Sequence, residues 1–322
     1  MHTIQLINPF TQNPLQISDT GLYEADRLVF PKTKGAFCVL DKTDNYTESF
    51  GYQWNTFTQT QIDHAESGLS KMRFFAETNW DKEDLSQKNV LEVGSGAGRF
   101  SEVILAHTQA TLYSIDYSRA VEANYANNQA YGSRLHLFQA SIYEMPFAPN
   151  QFDKVVCLGV LQHTPDFKKS VRCLAEQVKT GGELVVDFYP INGWWTKLHA
   201  KYIFRPITKK WNHDRLLRII RANINYLIAA YKLLYRLKLG ILTRFLPICD
   251  IYGTFPHQDM PKEQLRELCI LDTFDMFAPQ YDNPQRIATV KKWFEECGLF
   301  VTWSGFVQYG NAKAATVKGI KK

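Results

Sequence analysis

The sequence predicts an α/β fold: a doubly wound, seven-stranded mixed sheet with helices on both faces, preceded by a small β-rich extension and interrupted by a helical cap. Three observations carry that prediction. Between residues 89 and 188 short apolar runs alternate with helical patterns, as expected of right-handed crossovers and a parallel sheet covered on both sides. Residues 90–100 pass from a buried-strand pattern (Val90, Leu91, Val93) through a turn of Gly94, Gly96 and Gly98 into a helix. Residues 191–261 then break the alternation with a long stretch of helical period rich in Lys and Arg.

In chain order, residues 1–60 form the extension: apolar runs at 15–17, 21–23, 27–31 and 35–40, separated by turn residues, predict small strands outside the main sheet. The aromatic stretch 46–57 has two readings. It buries the extension against the larger unit, or Tyr52, Gln53 or Trp54 forms a lid over a pocket that must exclude water. The core comprises residues 61–190. Ile62, Ala65, Leu69, Met72, Phe75 and Ala76 predict a helix over 61–78. Strands follow at 89–93, 110–116, 134–139, 152–158 and 182–188, with helices at 97–108, 118–131 and 167–178. After the cap, residues 262–322 complete the core. A short helix at 262–268 leads into a loop at 271–284, rich in carboxylates and aromatics and fixed by Pro279 and Pro284. A helix then runs to Cys297 with Gly298 as its cap, and strands at 299–307 and 314–317 close an antiparallel hairpin.

Composition narrows the function classes. With 322 residues, 45% hydrophobic and 21% charged, the chain is globular rather than disordered. No apolar run reaches bilayer-spanning length, and the N-terminus lacks the basic start and apolar core of a signal peptide, so the cytoplasm is the expected location. Cys38, Cys157, Cys173, Cys249, Cys269 and Cys297 have no paired spacing, which favours reduced packing over disulfides or a metal site. The net charge of +5 is unevenly spread. Twelve Lys or Arg face one acid, Asp214, between Trp194 and Leu246, making that segment +11 and the remainder −6. Two readings compete for it: a cap that packs on the core and covers a pocket, or one that also rests on an anionic membrane, at its inner face. Nothing in it resembles a nucleic-acid reading head.

The chemistry lies at the glycine turn. Glu92 precedes the first glycine, and Asp116 ends the next strand about 20 positions on, where a carboxylate accepts hydrogen bonds from ribose hydroxyls. Arg99 stands where a dinucleotide fingerprint wants its third glycine, and Glu92 would repel a pyrophosphate on the helix N-terminus. Both features count against a nicotinamide-dependent reductase. A cationic sulfonium ligand reverses the sign of the Glu92 interaction, which points to S-adenosylmethionine (SAM).

These segments resemble the class I SAM-dependent methyltransferases, with a type 11/25-like core, over roughly residues 75–190. Residues 92–98 look like the family's first motif, Asp116 like its ribose-binding acid, 139–147 like the adenine-side segment, 152–163 like the fourth strand and its loop, and 178–186 like the turn into strand five. The resemblance implies a Rossmann-like sheet, SAM as cofactor with S-adenosylhomocysteine (SAH) as product, and cofactor contacts from Glu92, Gly94, Ser95, Gly96, Gly98, Asp116, Tyr117, Ser141, Ile142, Leu158 and Gly159. Many relatives carry Asp where this chain has Ser141, which shifts the adenine contact toward the Ile142 backbone. The extension faintly resembles a zinc-ribbon domain that accompanies some methyltransferases, in degenerate form: residues 7–14 offer no thiolate, so no zinc is expected.

The style of residues 271–284 is similar to methyltransferases of bacterial surface-sugar and specialised-metabolite pathways. The implied function is O-methylation of a small-molecule, saccharide or lipid-linked acceptor. C-methylation of a quinone- or polyketide-like acceptor and a non-catalytic adaptor at a membrane are the alternatives. His163, just after strand four, is the candidate general base, with a structural histidine as the competing reading. Trp54, Tyr189, Asp275 and Tyr281 are candidate acceptor contacts, with Asp187 beside them.

Overall fold

The computed structural model describes residues 4–40, 46–56, 68–254, 261–310 and 312–322. Five short strands open the chain: β1 (Leu6–Ile7), β2 (Pro14–Ile17), β3 (Gly21–Glu24), β4 (Arg27–Thr33) and β5 (Ala36–Val39). Each pairs antiparallel with the next. Helices α1 (Glu48–Thr56) and α2 (Leu69–Thr78) follow. The helix predicted over 61–78 is thus described from Leu69 onward; residues 61–67 and the Trp54 side chain lie outside the described set.

The core runs β6 (Asn89–Val93), α3 (Arg99–His107), β7 (Thr111–Asp116), α4 (Val121–Asn128), β8 (Leu135–Ala140), β9 (Phe152–Cys157), α5 (Phe167–Gln177) and β10 (Val178–Phe188). It closes with α10 (Ile287–Glu296), β11 (Leu299–Tyr309) and β12 (Ala312–Lys321), numbered after the four cap helices given below. Core strand order is β8-β7-β6-β9-β10-β12-β11, with β12 alone running opposite to the other six. Strand alternation explains why both faces carry helices. Val90, Leu112, Val156 and Val185 pack with Phe74 of α2 and Phe100 and Ile104 of α3. Their neighbours in sequence, Leu91, Val155, Leu184 and Val186, pack on the other face with Val171 of α5 and Phe294 of α10.

The extension does not stand apart from this sheet. β5 pairs in parallel with β8, Ala36 opposite Leu137 and Val39 opposite Ala140, so one sheet of twelve strands results. Ala36, Phe37 and Val39 are all buried, and Phe37 packs on Phe138 with ring centroids 5.2 Å apart. An apolar β8 left at the edge would be a pairing liability, and β5 covers it.

The cap contains α6 (Ala200–Thr208), α7 (His213–Arg236), α8 (Ile251–Thr254) and α9 (Lys262–Phe277). It has a small core of its own, in which Leu216, Ile220 and Ile224 of α7 meet Ile270, Phe274 and Phe277 of α9. This corrects the predicted loop at 271–284: the helix predicted to stop near 268 continues to Phe277. Ile270, Thr273, Phe274 and Phe277 are buried at helical spacing, and Pro279 lies just beyond the helix end rather than within a long loop.

Candidate active site

The glycine turn sits where strand order reverses between β6 and β9, beyond the strands' carboxyl ends. Gly94, Gly96 and Gly98 all have left-handed backbone, with φ of 82°, 55° and 88°. Two of them are also forced by contact. A Cβ on Gly94 would lie 2.3 Å from Val160 Cγ2, and one on Gly98 would lie 2.2 Å from Asn124 Oδ1. The Gly94 and Ser95 N–H groups donate to the Ile115 carbonyl, and Gly96 N–H donates to Asp116 Oδ2 at 2.8 Å. The turn is therefore tied down across the end of β7.

Asp116 lies at the mouth of that turn. Its Oδ1 accepts from the Ser118 N–H (2.8 Å) and hydroxyl (2.6 Å). A carboxylate offers about four lone-pair positions, so Oδ2 keeps room for one more donor. Burial raises its pKa.

Glu92 departs from the motif's expectation. It is only 4% exposed and is not among the residues lining the cavity beside the turn. Its Oε2 accepts from Ser101 (2.5 Å) and Ser114 (3.0 Å), while Oε1 has no hydrogen-bond partner. Asn124 joins the network by donating to Ser101, and Asn128 donates to the Gly98 carbonyl. Glu92 thus braces the underside of the turn, and its side chain is not part of the cavity lining.

Burial pushes the Glu92 carboxyl up to about 7. The folded state therefore holds a proton that the unfolded chain releases nearer 4.5, and stability is lost as pH rises through that interval. Glu92→Gln is expected to raise the stability of the ligand-free protein by up to about 3 kcal/mol at pH 8 and to do little at pH 4.5. Thermal melts at the two pH values check it, and equal shifts at both would refute the titration.

Above the turn is a cavity of about 550 Å³. Its floor comes from strand ends: Gly94, Ser95 and Gly96, then Asp116 and Tyr117, then Ile142, then Leu158 and Gly159. Ser141 does not line it; its hydroxyl accepts from the Tyr143 N–H at 3.2 Å, within its own turn. Gly98 acts as the turn's hinge into α3 rather than as a wall. Asp187 is likewise outside the lining: it accepts from the Gly159 N–H and pairs with Arg73, which Glu77 holds from the other side at 2.9 Å.

The roof comes from residues distant in sequence. Tyr46 sits between the rings of Tyr117 and Tyr281, with centroids 5.2 and 5.9 Å away, and Phe50 and Gln53 of α1 line the same space. Tyr52 instead donates its hydroxyl to Asp214 of α7 at 2.6 Å, joining α1 to the cap. His199, Lys201, Asp250, Asp272 and Asp275 enter from the cap side. Lys201 pairs with Asp282 and lies 4.2 Å from the centroid of the Tyr189 ring. Burial, aided by the neighbouring Asp275 carboxylate, pushes Asp272 up to about 7.

His163 is 6% exposed at the end of a short turn, residues Leu161–His163, that follows β9. Its Nδ1 lies 3.0 Å from the Tyr281 carbonyl oxygen, and its ring is flanked by Phe50 and Tyr189. A carbonyl can only accept, so Nδ1 carries the proton in the neutral ring and Nε2 is left as an acceptor. Burial lowers the His163 pKa, which favours that neutral form. Tyr281 contributes through this carbonyl and does not itself line the cavity.

Residues 91–186 match the family model described as a methyltransferase domain. Among similar proteins, the ubiquinone biosynthesis O-methyltransferase of Stutzerimonas stutzeri is 30% identical over 165 residues, covering 41% of this chain and 65% of that protein. An uncharacterized protein of Synechococcus sp. is 26% identical over 234 residues, covering 69% of this chain and 49% of that protein. The chain thus spans between about half and two thirds of these relatives' length. Among solved structures, it is similar to the magnesium protoporphyrin IX methyltransferase of Synechocystis with bound SAH. The TM-score is 0.48 and the identity 14%, covering 86% of this chain and 96% of that one.

The cavity suits SAM. Ser95 Oγ, buried and without a hydrogen-bond partner, lines it beside the turn, and Asp116 Oδ2 retains an acceptor position for a ribose hydroxyl. Ile142 and Leu158 would give the adenine apolar walls. When bound, SAM supplies an electrophilic methyl group. Of the residues named from the sequence, His163, Tyr189 and Asp275 line the cavity, while Glu92, Gly98, Ser141, Asp187 and Tyr281 do not.

Several lining residues have no motif to announce them. Arg73 and Lys201 were legible only as helical or cap positions, and Asp272 fell in the stretch predicted as loop. The spacing of Arg73 and Glu77, one turn apart, was the available hint of a buried pair.

Proposed function

We propose that this protein is a SAM-dependent methyltransferase acting on an oxygen of a small-molecule acceptor, a hydroxyl borne on a ring, a saccharide or a lipid, with His163 as general base. The observation that carries this reading is the fixed tautomer of His163. The Tyr281 carbonyl holds the Nδ1 proton, so Nε2 is free to take a hydroxyl proton inside the cavity that contains the glycine turn and Asp116. Methyl transfer from a sulfonium is an in-line displacement, and its main demand is alignment. The roof of Tyr46 and Phe50 and the cap side of the cavity restrict how an acceptor lies and keep water out.

Relatives named as ubiquinone biosynthesis O-methyltransferases support an oxygen acceptor. An acidified carbon acceptor would need no base, and nothing in the site calls for one. A lipid-linked acceptor fits the cap, whose outer surface is treated below. The test is calorimetric titration with SAH followed by incubation with SAM and panels of phenolic, saccharide and prenylated hydroxyl compounds, read by mass spectrometry. A one-carbon mass gain at oxygen is expected. SAH binding with transfer only to carbon or nitrogen would overturn the oxygen assignment, and absent SAH binding would overturn the enzyme.

A further inference from the structure

We infer that the outer face of the cap docks on an anionic lipid bilayer and that the acceptor reaches the cavity from that surface. The second half of this statement rests on the methyltransferase reading; the docking face does not. Two stretches make the face. In the first, Trp194 is 79% exposed, and Ile203, Phe204 and Ile207 of α6 project outward at i, i+1 and i+4. In the second, the end of α7 and the turn after it expose Leu237, Ile241 (74%) and Phe245. Arg244 joins them, donating to the carbonyls of Trp195 (2.6 Å) and Leu198 (2.8 Å). Large apolar groups are therefore concentrated on one surface instead of being scattered singly.

These side chains are not surplus core. The cap already has a core between α7 and α9, built from other residues. Lys197, Lys209, Lys210, Arg236 and Lys238 are exposed among the apolar groups. Across residues 194–246 twelve cations face one acid; Lys201 and Arg205 turn inward onto Asp282, and the remaining excess is complementary to anionic headgroups. Tryptophans with flanking lysines suit the boundary between headgroup and acyl chain, where an apolar body and a charged end are both satisfied. No described helix is long and apolar enough to cross a membrane, so the contact is peripheral.

The same segments turn inward to the site. His199 and Lys201 line the cavity immediately after exposed Leu198, and Cys249 and Asp250 line it shortly after exposed Phe245. A bilayer against the outer face would lie beside the cap side of the cavity. An amphiphilic acceptor with its hydroxyl at headgroup level then has the shortest route in.

The test is co-sedimentation of the full chain with vesicles of phosphatidylcholine alone or mixed with phosphatidylglycerol, at low and high salt, with SAH affinity measured in parallel. Binding to mixed vesicles only, reversed by salt, is expected. The exposed pairs Trp194→Ser with Ile241→Ser, and Arg236→Gln with Lys238→Gln, should each reduce binding about tenfold while SAH affinity is unchanged. No vesicle binding at low salt by protein that binds SAH would overturn the inference. So would undiminished, wild-type binding by both double variants, or an apolar pair that abolishes self-association while wild type ignores vesicles. Vesicle binding without SAH binding would support the docking face and overturn the methyltransferase reading behind the acceptor's route.

Discussion

Replacing His163 with asparagine is expected to lower turnover by about 10²–10⁴-fold, the usual contribution of a positioned general base, while SAH affinity changes by less than about twofold. Asparagine can still donate to the Tyr281 carbonyl that now holds Nδ1, so the 281–283 loop keeps its anchor. What it cannot do is accept a proton. The pH profile separates the two roles of the residue. Burial puts the His163 pKa below its ordinary 6.5, so the wild-type rate should hold at pH 7 and fall only on acidification below that value. In the variant that acid limb should vanish. The unfolded chain takes up the same proton at higher pH than the folded one, so stability also falls as pH drops below about 6.5. Wild-type turnover in the variant, or an unchanged acid limb, would leave His163 as a structural residue only.

Asp116→Ala should weaken SAH binding by about 1–3 kcal/mol, or roughly 5–150-fold, because hydrogen bonds to a charged group are lost. Two losses combine. Oδ2 no longer accepts from a ribose hydroxyl, and the Gly96 N–H loses its 2.8 Å partner, loosening the turn that seats the cofactor. Asp116→Asn keeps an acceptor at one position and should recover part of the affinity. Calorimetry with SAH on protein whose melting is otherwise normal makes the measurement. Unchanged affinity in Asp116→Ala would remove the ribose assignment, and with it the main anchor proposed for SAM.

Much of the core was legible before any coordinates because its signals are local. The near-continuous buried runs of β6 and β7, the glycines at 94, 96 and 98, and the carboxylate ending β7 depend on neighbours within a few residues. Glu92 shows where such signals stop. A motif can mark a carboxylate beside the turn, but the direction of its side chain is set by Ser101 on α3 and Ser114 on β7, which the fold brings beneath it. The region 271–284 shows a second limit. Carboxylates spaced along a helix facing a cavity have no solvent-exposed stripe to contrast with, so Asp272 and Asp275 read as loop residues when they line a pocket.

The chain's own sequence determined the doubly wound sheet, the glycine turn, the Asp116 position and the basic character of the cap, since periodicity, backbone sterics and charge are properties of contiguous residues. Only the tertiary structure decided that β5 would extend the sheet beside β8, that Tyr46 and Phe50 would roof the cavity, and that the Tyr281 carbonyl would fix the His163 tautomer across 118 positions of chain. Those contacts join segments whose meeting depends on how whole layers pack, and no local pattern encodes which buried donor will find which distant acceptor.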